Sequence, residues 1–168
     1  MTEDIGISSP RPLPGADSQL IDRVRANTSE GVNRTLDMRA EDRVRGYAGA
    51  GPAEMSVRIE ELEQEWSIER LIETEASAMG LMGLGLGLTY SRKFLLAPTF
   101  VASMVLLHGL QGWYPMLPLF RRLGFRTREE IEREKFALKV LRGDFNKAIS
   151  ENGSTSDRAA RALEAVRV

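Results

Sequence analysis

The chain has no cysteine and only one histidine, His108. The first absence excludes disulfides, thiolate metal sites, iron–sulfur clusters and a cysteine nucleophile, and leaves the redox compartment open. Acidic residues are missing altogether from residues 76–119, a block of 44 whose only charges are Arg92 and Lys93. The start, "MTEDIGISSPRPLPGADSQ", lacks a basic stretch followed by an apolar run, so no secretory signal peptide is expected. The run "GLGLGL" lacks the following lysine and the strand context of a phosphate-binding loop. A formal net charge of −1 over 168 residues names no partner, because it averages an apolar centre with charged flanks.

Residues 1–54 show no sustained periodicity. "SSPRPLPGADS" reads as extended chain, and the residues after it mix charges with sparse apolar side chains up to a Gly/Pro breaker. With so little apolar surface to offset chain entropy, this stretch is predicted to be a disordered tail, with at most a transient helix around Leu20 to Val24.

Residues 55–75 differ. Met55, Ile59, Leu62 and Trp66 recur at helical spacing, and Leu71 and Ile72 continue the stripe. The pattern predicts one amphipathic helix with an acidic outer face, packing on its own protein or on a copy of it.

The block 76–119 divides at its two charges into runs of 16 and 19 residues, residues 76–91 and 94–112. As helices they measure about 24 Å and about 28 Å, against a hydrocarbon core of roughly 30 Å. Three features favour a membrane hairpin. Gly80, Gly83, Gly85 and Gly87 sit inside an apolar run, where each costs a helix in water about 1 kcal/mol relative to Ala. In lipid the helix survives and small residues let helices approach, so Gly80, Gly83 and Gly87 are candidate helix-packing and self-association residues. Trp113 and Tyr114 follow the second run and suit the headgroup level. Arg92 and Lys93 form the tip, whereas Arg70, Arg121, Arg122, Arg126 and Arg128 lie at the other end, which puts both termini in the cytoplasm. The last four of those arginines are candidates to meet anionic headgroups, each contributing about 1 kcal/mol.

After Pro115 and Pro118, residues 120–149 predict a second, more basic amphipathic helix. Thr127 followed by Glu130 is a capping-box signature, Ile131, Leu138, Leu141 and Phe145 form an apolar face, and Gly143 marks an end. Residues 150–168 read as a frayed tail with a short Ala-rich helix.

The stretch "LLHGLQGWYPMLPLFRRLGFRT" resembles the small two-helix membrane family typified by the transmembrane part of YgaP-type membrane rhodaneses of bacteria. The resemblance spans roughly residues 66–127 and rests on Gly109, Gly112, Pro115, Leu123, Gly124 and Thr127. It implies an inner-membrane helical hairpin, often dimeric, with no established reaction. Family members commonly carry Cys-Pro at the turn. Here Tyr114 precedes Pro115, so a thiol-linked role is absent, as is a rhodanese domain.

Nothing else carries chemistry. His108 is a candidate haem or metal ligand only if a second copy supplies another ligand; otherwise it is an interfacial imidazole bonded to a carbonyl or water. Pairs such as Glu60/Glu61 and Glu129/Glu130 belong to solvated helix faces. The expectation is therefore an all-α, non-enzymatic protein of the bacterial inner membrane, without cofactor: a short transmembrane hairpin, two cytoplasmic amphipathic helices and a disordered N-terminal tail. Its partners would be the bilayer and a second copy or another membrane protein, not nucleic acid. A soluble or peripheral helical module that buries the hairpin in an oligomer or partner is the alternative.

Overall fold

The computed structural model describes residues 22–146 and 160–162, and all regular structure among them is helical. The elements are α1 (Arg23–Ala26), α2 (Glu30–Tyr47), α3 (Pro52–Gln64), α4 (Ile68–Thr89), a 3-10 turn (Arg92–Leu95), α5 (Leu96–Gln111), α6 (Leu117–Leu123) and α7 (Arg128–Arg142). The chain divides into an apolar arm, made of α4, the turn and α5, and a polar base made of the rest.

The base corrects the expectation of a disordered tail over residues 1–54. Residues 1–21 lie outside the described residues, but 22–54 hold α1, α2 and the start of α3. These helices are not held by an apolar stripe, since Leu36 is the single buried residue of α2. Ion pairs and hydrogen bonds to distant chain hold them instead. Arg25 pairs with Glu130, Arg43 with Glu134 at 2.8 Å, and Arg121 donates to the Asn33 amide oxygen at 2.9 Å. Local periodicity carries no trace of partners some 90 residues away.

Residues 55–75 are likewise not one helix. α3 buries Met55, Ile59 and Leu62, as the stripe predicts, and stops at Gln64. Ser67 then caps a new helix, its hydroxyl accepting from the Arg70 N–H, while the Ile68 N–H donates to the Arg126 carbonyl at 2.9 Å. The break leaves Trp66 outside the stripe, exposed, with the Arg70 guanidinium 4.6 Å from its ring centre. The helix expected over residues 120–149 is also divided. Gly124, at φ 101°, ends α6, and a short linker precedes α7. At Thr127 the capping box forms in full: its hydroxyl accepts from the Glu130 N–H and the Glu130 carboxylate accepts from the Thr127 N–H. Gly143 closes α7 at φ 86°. Of residues 150–168, only 160–162 are described, and they are helical.

Two small cores result. Ile59, Leu62, Ile131 and Leu138 join α3 to α7, with Tyr47 packed against them. Val24, Ile68, Ile72, Tyr114 and Leu117 join the foot of the arm to α1 and α6.

Candidate functional site

α4 and α5 run antiparallel along each other, and glycine sets how closely. A Cβ on Gly83 would lie 2.7 Å from Pro98 Cδ and 3.0 Å from Ala97 Cβ; one on Gly87 would lie 2.4 Å from Leu95 Cδ2. Both glycines are buried within the chain by α5 and the turn. The face assigned to self-association is therefore filled by the chain's own second run. Nothing lies within 4 Å of a Cβ built on Gly80 or Gly85. Gly80 does not share the contact.

With Gly83 and Gly87 turned inward, both helices present large apolar side chains outward. Leu81 and Leu88 of α4 are 71 % and 74 % exposed, and Leu96, Phe100, Leu106 and Leu110 of α5 are at 61 % or above. Arg92–Gln111 is the one stretch of 20 residues among the described helices that is long and apolar enough to cross a membrane, and 6 % of its apolar window is buried within the chain. Arg92 and Lys93 stand exposed in the turn at the tip. Thr89, Thr99 and Ser103 donate their hydroxyls back to carbonyls one turn earlier, Gly85, Leu95 and Thr99, so these three hydroxyls are paired within their own helices.

At the foot of the arm the last carbonyls of α5 have no helical partner of their own. Gly112, at φ 74°, takes the left-handed conformation that ends the helix and donates to the His108 carbonyl at 2.7 Å. α1 supplies the rest. Arg23 Nη1 donates to the Gly109 and Leu110 carbonyls at 2.9 and 3.2 Å, and Asn27 Nδ2 donates to the Gln111 carbonyl at 2.7 Å. The fit is close: a Cβ on Gly112 would stand 2.4 Å from Arg23 Cβ. Thus a four-residue helix in the expected tail is a side-chain cap for the apolar arm.

The residues expected at a headgroup level separate into two groups. Trp113, Pro115, Arg122 and Arg128 are exposed. Tyr114, Arg121 and Arg126 are not, at 4 %, 1 % and 4 %. Tyr114 packs in the core and its hydroxyl donates to Glu75 at 2.6 Å. Arg121 forms a two-pronged pair with Glu130, Nη1 to Oε2 and Nη2 to Oε1, both at 2.7 Å. Arg126 pairs with Glu134 and Glu65. These arginines do not meet headgroups, because buried carboxylates of α7 and the end of α3 neutralise them. Sequence reading placed Glu129/Glu130 on a solvated face; Glu130 is buried, and the capping box is the signal that turns its carboxylate inward.

Two carboxylates organise the base. Glu134 receives Arg43, Arg58 and Arg126. Glu130 receives Arg121, Arg25 and the Thr127 N–H. Burial alone pushes both acids up, but the surrounding donors outweigh it. Hydrogen bonds from Arg121, the Thr127 backbone and Arg25 hold Glu130 below the ordinary carboxylate value, and Arg43, Arg126 and Arg58 do the same for Glu134.

His108 sits near the foot of α5, its ring edge-on to Tyr114 at 6.2 Å between centres, and its buried Nδ1 has no hydrogen-bond partner. Among the described residues no group of three or more His, Asp or Glu side chains is arranged to hold a metal ion. Comparison with protein families, with curated proteins and with solved structures finds no match to this chain.

Proposed function

We propose that the chain is a non-enzymatic integral membrane protein of the bacterial inner membrane, with an interaction or scaffold role. In this reading α4, the turn and α5 form a helical hairpin that enters the bilayer. The base stays in the cytoplasm with both termini, and Trp113, Arg122 and Arg128 lie towards the headgroups. A single observation carries it: the outward faces of both arm helices are continuous, large and apolar, without a charge between Ala76 and Ser91 or between Phe94 and Trp113. Monomeric soluble proteins rarely leave such a surface bare. Orientation rests on the excess of basic residues flanking the foot over the two at the tip. Because Gly83 and Gly87 are used within the chain, contact with a second copy or another membrane protein would run through the outer faces.

Membrane fractionation tests this reading. The protein is expected to stay with membranes through washes at high salt and alkaline pH and to come off only with detergent. Recovery in the soluble fraction at high salt without detergent overturns it.

The length of α4 favours a second reading. Its apolar part, residues 76–89, spans about 21 Å, short of a hydrocarbon core of roughly 30 Å. A peripheral helical module that buries the arm in an oligomer or partner fits that length, and it would elute from membranes at high salt as a larger, soluble assembly.

A further inference from the structure

Where α2 faces the junction between α6 and α7, a recess of about 140 Å³ is lined by Arg39, Arg43, Arg58 and Arg126, with Glu65 as the one carboxylate on its wall. Leu36 and Arg39 also line an adjoining recess of about 120 Å³, bounded by Arg121 and Arg122 of α6. The cations exceed the acids that reach them. Glu134 takes Arg43, Arg58 and Arg126, Glu65 takes Arg126, and Glu61 takes Arg58 from the rim. Arg39 has no ion pair or hydrogen bond with any described residue. Arg43 reaches Glu134 through Nε and Nη2 and leaves Nη1 unengaged. Two guanidinium groups that line the recess therefore keep N–H donors that no described residue engages, beside an excess of positive charge.

We propose that this recess binds a phosphate group. A free guanidinium fork suits a tetrahedral oxyanion, which accepts paired N–H bonds from each arginine. The pocket's cations are all arginine and none is lysine, the choice favoured for two-pronged recognition of phosphate. The volume is several times the roughly 30 Å³ that one water occupies in the liquid, enough for a five-atom oxyanion. The phosphate is either free in solution or the terminal phosphate of a lipid headgroup. The site does not rest on the membrane reading, since free phosphate tests it without a bilayer.

The test uses the full chain in a phosphate-free detergent, titrated with inorganic phosphate and, at matched ionic strength, with chloride. Calorimetry is expected to show saturable binding of phosphate and none of chloride. Arg39→Gln removes a side chain that has no partner among the described residues, so its unfolding midpoint should match that of the parent protein. Losing one or two charge-assisted hydrogen bonds should weaken its phosphate binding by about tenfold or more. Arg133→Gln, an exposed arginine that does not line this recess, should leave the affinity unchanged. A second arm repeats the phosphate titration in nanodiscs. Suppression of binding by discs containing phosphatidic acid, but not by phosphatidylcholine alone, assigns the site to a lipid phosphomonoester; equal binding in both assigns it to free phosphate. No saturable response beyond that of chloride, or an unchanged affinity in Arg39→Gln, overturns the proposal.

Discussion

The arm and the base are built by opposite rules. In the arm the contact between helices is made of Gly83 and Gly87 against Ala97, Pro98 and Leu95, and the large apolar side chains face out. In the base, Arg121, Arg126, Glu130 and Glu134 face in, while Met38, Val57 and Val140 are exposed. A water-soluble domain would be expected to show neither pattern so strongly. Under the proposed membrane reading, the two regions face different environments. In that reading a surface that meets hydrocarbon can turn leucine outward, whereas the base is held by buried ion pairs such as Arg121–Glu130 and Arg126–Glu134. Such pairs are a weak source of net stability, yet removing one partner is severe, because the other is left buried and unpaired.

That asymmetry sets the largest expected effect. Glu134→Gln leaves three arginines facing one another and should destabilise the base by about 3–5 kcal/mol, read by denaturant titration. The exposed acid Glu61, which pairs with Arg58 at the rim, should cost no more than about 1 kcal/mol when changed to Gln. Equal losses from the two would show that the buried pairs are not what holds the base.

Acid separates the regions next. Glu130 and Glu134 are both held below the ordinary value of 4.5, so each binds protons more readily once unfolded. Their contribution is complete above about pH 4.5 and is lost as pH falls through their lower folded values. Circular dichroism in detergent should show the base melting below that pH while the arm, which has no carboxylate between Ala76 and Gln111, keeps its helices. Simultaneous loss of both would break the distinction.

The arm answers to volume instead. Gly83→Ile forces a side chain against Pro98 and Ala97 and should cost about 1–3 kcal/mol, whereas Gly80→Ala meets open space and should be neutral or slightly stabilising. Since the glycine face is occupied within the chain, Gly83→Ile should disturb the folding of the arm without a specific loss of crosslinked dimer. Tyr114→Phe is a smaller loss than Gly83→Ile. It removes the 2.6 Å hydrogen bond to Glu75 where arm meets base, and should cost about 1 kcal/mol, measured as a shift in the denaturation midpoint.

The arm is also where the sequence speaks most plainly. Its apolar runs, its basic tip and its glycines are all local patterns, and so is the capping box of Thr127 and Glu130. Which helix the glycines touch is not local: the spacing of Gly83 and Gly87 is the same whether the partner is α5 or a second copy. The base is legible only in part. The stripe of Met55, Ile59 and Leu62 is visible, but α1 and α2 are not, because they are held by Arg23, Asn27, Arg25 and Arg43 through partners far along the chain. The same blindness explains Arg121 and Arg126. A run of arginines after an apolar segment looks like a headgroup contact until the carboxylates that neutralise it are located in space.

A spanning arm requires its tip to lie on the far side of the membrane from the base. The chain has no cysteine, so a single Ser91→Cys beside the tip gives an unambiguous label site, with Gln64→Cys on the base as its counterpart. With a membrane-impermeant maleimide applied to intact spheroplasts, Ser91→Cys is predicted to label and Gln64→Cys to label only after lysis. Labelling of both only after lysis would place tip and base on the same side and contradict a spanning hairpin.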